Sequence, residues 1–113
     1  MPPLEIEIRH PKEDRWTKIH EVGPNESVDI MVLRPDGIKE IMLFECSPDG
    51  SESSIKRTEA GDKSFLEPNK MPVLHPDKPP IEVARLRAGD SFETTIQEID
   101  VDLQQTRHRF THR

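Results

Sequence analysis

The strongest constraint on this chain is the alternation of apolar and polar residues over Ile81–Leu103, IEVARLRAGDSFETTIQEIDVDL. Ile81, Val83 and Leu86 precede an Ala88-Gly89-Asp90 turn; Phe92, Ile96, Ile99 and Val101 follow it. Successive side chains of an extended strand point to opposite faces, so this spacing predicts a hairpin of two half-buried β-strands joined by the turn. An earlier stretch, Val22–Ile30 (VGPNESVDI), echoes Leu86–Thr94 (LRAGDSFET): an aliphatic residue, a turn, an acid, a serine, an apolar residue and a second acid. The match goes no further, which marks one local solution used twice rather than a duplication.

The rest of the chain carries the same signal. Leu4, Ile6 and Ile8 alternate with Glu5, Glu7 and Arg9, predicting a first strand that stops at His10-Pro11. Trp16 to Val22 predicts a second, with Trp16 as a core or edge anchor. Ser27–Leu33 and Ile38–Cys46 flank Pro35-Asp36-Gly37, which predicts a hairpin. Their centres, IMVL and IMLF, are continuously apolar, as in central strands covered on both faces. The predicted core is Ile30, Val32, Ile41, Leu43, Phe92 and Ile96.

Residues 47–80 differ in character, holding six of the eleven prolines. They are expected to form an extended Pro-rich arm with a short strand at Ser54–Thr58 and another at Val73-Leu74; Asp62–Phe65 fits a helical turn equally well. Pro76–Pro80 favours polyproline II and reads as a stiff surface connection. Residues 104–113 read as a basic terminal strand or tail, with Thr106, His108, Phe110 and His112 on one face and Arg107, Arg109, Thr111 and Arg113 on the other.

Composition then bounds the whole. At 113 residues a single domain, 1–113, is expected. Hydrophobic residues make up 32% and charged ones 34%; Leu, Ile, Val and Phe alone are about 24%, above the roughly 20% associated with disorder. A net charge of −6 opposes nucleic-acid binding by the whole surface. The acids of Ile81–Leu103 contrast with the basic RHRFTHR terminus, predicting a dipolar molecule that stacks head to tail. Cys46 is the one cysteine, so no intrachain disulfide forms. No apolar run is long enough to span a bilayer as a helix, and MPPLEIEIRH has acids where a signal peptide has bases, so cytoplasmic synthesis is expected. Asn25-Glu26-Ser27 matches a glycosylation acceptor but reads as a turn.

Catalytic and metal signatures are weak. His10, His20, Cys46 and His75 are isolated in sequence. His108 and His112 share a strand face, but at ~3.3 Å per residue they stand ~13 Å apart, too far to chelate together. Cys46 is followed by SPDGSES rather than the His and Met of a blue-copper site. There is no GxSxG, and the five glycines are scattered among turns. No cofactor, metal ligand or small-molecule substrate is predicted.

In strand count and spacing the chain resembles an immunoglobulin-like or jelly-roll-like antiparallel β-sandwich of seven or eight strands. That resemblance implies an interaction or structural module, with no catalytic residues to transfer. The expected function is therefore a non-enzymatic protein-interaction or assembly module, such as a virion or particle decoration subunit or an inhibitor of a larger protein, contacting a protein partner or copies of itself. Its predicted contact residues are Phe65, Leu66, Met71, Val73 and Leu74 in the arm and Arg107, Arg109, Phe110 and Arg113 at the terminus. Two alternatives compete: a metal-dependent cupin-like barrel enzyme, for which the chain lacks an HxH, and a weak nucleic-acid binder acting through the basic tail.

Overall fold

A computed structural model describes residues 2–33, 39–58, 78–98 and 105–113. Among them it is all-β, with eight strands: β1 (Leu4–Arg9), β2 (Thr17–Val22), β3 (Ser27–Leu33), β4 (Lys39–Cys46), β5 (Glu52–Thr58), β6 (Ile81–Arg87), β7 (Ser91–Glu98) and β8 (Gln105–His112). Every pairing is antiparallel, in the order β2-β1-β8-β7-β3-β4-β5-β6. Among the described residues β7 and β3 share two residue pairs, Val32–Glu98 and Leu33–Gln97. There the ladder bends into two four-stranded leaves, β2-β1-β8-β7 and β3-β4-β5-β6, packed in a sandwich-like arrangement. The first leaf joins the two terminal hairpins, and the second is a meander of four consecutive strands. This order differs from the interleaved Greek-key connections of immunoglobulin-like and jelly-roll sandwiches.

The echoed segments are the two corners between leaves. In each, a buried aliphatic residue, Val22 or Leu86, ends a strand of one leaf, and the next strand begins in the other. Gly23–Glu26 closes through Glu26 N–H to Gly23 O (3.1 Å), and Arg87–Asp90 through Asp90 N–H to Arg87 O (2.9 Å). The acid then reaches back: Gly23 N–H donates to Glu26 Oε1 (3.0 Å) and Arg87 N–H to Asp90 Oδ2 (2.9 Å). Both turns place positive φ at their third residue, Asn25 (61°) and Gly89 (92°), as a type II turn requires. The Ala88-Gly89-Asp90 turn thus joins strands that do not pair with each other: β6 pairs with β5, and β7 with β8 and β3.

Alternation fills the space between the leaves. Leu4, Ile6, Val22, Ile96 and Phe110 meet Ile30, Val32, Met42, Phe44, Ile55 and Leu86. Phe44 and Phe110, both fully buried, stack across the leaves with centroids 4.5 Å apart. Of the predicted core, Ile30, Val32, Ile41 and Ile96 are buried, while Phe92 is half-buried against the cluster. Leu43 is also only half-buried: it follows Met42 and precedes Phe44, which point inward, so period two turns it outward. Ile41, on that same outer face, is nonetheless buried, so β4 is covered on both faces only near its start.

Residues 52–58 of the expected arm are β5, the neighbour of central strand β4. The residues predicted as Val73-Leu74 and Asp62–Phe65 elements, and the Pro35-Asp36-Gly37 turn, lie outside the described residues. Of the two readings of the terminal segment, the strand holds, and it is an interior one: β8 lies between β1 and β7, with the two predicted faces as expected. Thr106, His108, Phe110 and His112 are buried.

Candidate functional site: the β6 edge of the second leaf

β6 is one of two sheet edges and carries the large hydrophobic side chains left exposed among the described residues, Ile81 (40%) and Val83 (45%). The alternation over Ile81–Leu86 predicts these two as inward-facing. The register has a bulge here: Ile55 faces Ala84 and Lys56 faces Glu82, leaving Val83 without a residue opposite. Ala84 and Leu86 pack on the core, whereas Ile81 and Val83, at the start of the strand, are left exposed. Pro79-Pro80, just upstream, is the sequence mark of such an edge, since proline cannot donate to a ladder. The opposite edge, β2, has a comparable bulge at Ile19, but there Ile19 packs against the core.

Beside the β6 edge, the outer face of the second leaf forms an open polar groove of about 400 Å³, lined by Glu45, Glu52, Ser54, Lys56 and Arg85 among others. Its charges are paired. Arg85 donates through Nη2 (2.8 Å) and Nε (3.2 Å) to Glu82 Oε1 and through Nη1 to Glu52 Oε2 (3.4 Å), and Lys56 Nζ meets Glu45 Oε2 at 3.3 Å. Cys46 at the groove floor is buried; that burial first, then the charges of Asp49 and Glu26, raises its thiol pKa. A raised pKa leaves little thiolate, so this cysteine is a poor nucleophile.

The basic terminus lies in the other leaf, and its arginines are occupied by neighbouring strands. Arg109 donates to Glu7 (3.1 Å), Arg107 to Glu93 (2.9 Å), and Arg113 pairs with Glu5 at 2.8 Å. The Arg113 hydrogen bond, outweighing the opposing effect of burial, lowers the Glu5 pKa. The charge asymmetry along the chain is thus cancelled locally once β8 lies between acid-bearing β1 and β7. Trp16 packs on this face, with the Arg109 guanidinium 4.3 Å from its ring centroid and that of Arg9 at 5.3 Å. Phe110 is a core residue with no exposed surface, because its inward face alternates with the arginines. Phe65, Leu66, Met71, Val73 and Leu74 lie outside the described residues.

The two buried histidines belong to the interior. His112 joins the leaves, its Nε2–H donating to Gly50 O (2.9 Å) and its Nδ1 lying 3.1 Å from Ser53 Oγ. His108 Nδ1 lies 3.0 Å from Thr106 O. Among the described residues, no group of three or more His, Cys, Asp or Glu side chains is placed to hold a metal, and no helix is long and apolar enough to cross a membrane. No family model, curated protein or solved structure matches the chain, so its own residues carry the functional reading.

Proposed function

We propose that this protein is a non-enzymatic assembly module that pairs with a second copy of itself through β6. The observation that carries this reading is the exposure of Ile81 and Val83 on a strand that, among the described residues, pairs on one side only. An unpaired edge strand is a template for another strand, and the exposed aliphatics add apolar area to be buried. The charge order of β6 favours self-pairing. Glu82 stands near its start and Arg87 at its end, so antiparallel pairing about a two-fold axis sets Glu82 of each copy against Arg87 of the other. Such isologous contacts are the commonest route to soluble oligomers. A particle-decoration subunit and an inhibitor of a larger protein are both members of this broader class. The immunoglobulin-like or jelly-roll resemblance supports it only at the level of two packed antiparallel leaves.

Size exclusion with light scattering tests the reading. The wild type is expected at twice the 13.0 kDa chain mass, and Glu82→Arg and Arg87→Glu alone are each expected to shift it toward monomer. The double variant Glu82→Arg/Arg87→Glu is expected to recover the dimer, since the swapped charges again meet their opposites. A wild type that stays monomeric at ~100 μM, far above a 1 μM dissociation constant of about −8.2 kcal/mol, overturns the proposal.

A further inference from the structure

We propose that the cleft between Arg9 and Arg107, on the outer face of the first leaf, binds a single phosphate group. Arg9 and Arg107 are directly opposite in the β1–β8 register, and both project from the outer face. Like charges so placed repel each other, an arrangement that folding alone does not favour. Arg107 spends Nε and Nη2 on one oxygen of Glu93 (3.2 and 2.9 Å), leaving Nη1 unused by any described group. Arg9 makes no ion pair among the described residues; its guanidinium lies instead over the Trp16 ring. That contact orients the guanidinium without neutralising it.

Between the two lies an open cleft of about 280 Å³, lined by Arg9, His10, Pro11, Glu13, Thr95 and Arg107. Thr95 pairs with Arg107 across β7–β8 and contributes a hydroxyl donor beside the two planar guanidinium forks. Paired forks suit the tetrahedral oxygens of phosphate, which accept several charge-assisted hydrogen bonds at once. The setting selects a compact anion. Glu13 lines the cleft too, and Glu7 and Glu93 flank the arginines on the same face. A repeating polyanion such as a nucleic-acid strand runs onto all three carboxylates, whereas a lone phosphate in the cleft faces Glu13 alone, against two guanidinium groups.

The test is an amide-resolved NMR titration with inorganic phosphate and, separately, O-phosphoserine, at constant ionic strength. Saturable shifts are expected at Arg9, Thr95 and Arg107. Arg9→Gln is expected to weaken binding at least ~10-fold, with Arg9→Lys intermediate because it keeps the charge and loses the fork. Phosphate is expected to raise the melting temperature of the wild type but not of Arg9→Gln, as a ligand that binds only the native state requires. Tighter saturation by O-phosphoserine assigns a phosphate monoester, and equal saturation assigns the free ion. The proposal is overturned if the shifts do not saturate or if folded Arg9→Gln titrates like the wild type. Oligonucleotide binding to this face without phosphate binding overturns it too.

Discussion

Adjacent residues of β4 give the sharpest test of the fold, because Phe44 and Leu43 are expected to behave oppositely when truncated. Phe44 has no exposed surface and stacks on Phe110 from the other leaf. Phe44→Ala removes the ring and opens a cavity between leaves that the ladders keep from collapsing, a loss of ~3–5 kcal/mol. Leu43, half-buried on the outer face, forfeits about half of a full leucine burial, ~1 kcal/mol. Unfolding entropy of ~2.1 cal/mol/K per residue translates these into falls in Tm of ~13–21 °C for Phe44→Ala and ~4 °C for Leu43→Ala. Total stability for a domain this size is about 5–15 kcal/mol, so the first variant stands near the edge of folding and the second does not. Urea unfolding followed by Trp16 fluorescence measures both. If Leu43→Ala is as damaging as Phe44→Ala, β4 is out of register by one residue, since a one-residue slip exchanges the two faces.

Two further predictions concern the turns. The Ser51 hydroxyl first, then the Ser51 amide and the Ser47 hydroxyl, holds the Asp49 carboxyl down to about 2. With its folded pKa below an unfolded value of ~3.9, Asp49 contributes stability that is complete above about pH 5 and lost as pH falls toward 2. Ser51→Ala should therefore raise the Asp49 midpoint in a carboxyl NMR titration; an unmoved midpoint discounts those hydrogen bonds. Gly89 has φ of 92°, and a Cβ added there would meet nothing within 4 Å, so Gly89→Ala costs backbone strain alone, ~1–2 kcal/mol. Gly50→Ala should cost more, because its Cβ also lands 3.2 Å from Pro24 Cγ, and the urea midpoints should rank accordingly.

Local signals settled much of this molecule in advance. Period-two alternation is a property of the strand itself, so strands β1, β6 and β7 and the two faces of β8 are readable from Leu4-Ile6-Ile8 or Arg107-Arg109 without a neighbour. The corners are readable too: Val22–Ile30 and Leu86–Thr94 repeat because the same turn and the same back-reaching acid solve the same problem. What alternation lacks is any statement of which strand lies beside which. Only tertiary pairing made β6 an edge next to β5 rather than the hairpin partner of β7, and set the basic terminus between acid-bearing strands. The candidate site was hidden for the same reason. Ile81 and Val83 alternate like core residues, yet they stand exposed at the start of an edge strand, before Ala84 and Leu86, which pack on the core. Pairing across β1 and β8 likewise brings Arg9 opposite Arg107, residues almost a chain length apart. Side-chain direction is set within a few residues, whereas adjacency depends on how the whole set of apolar faces is buried together.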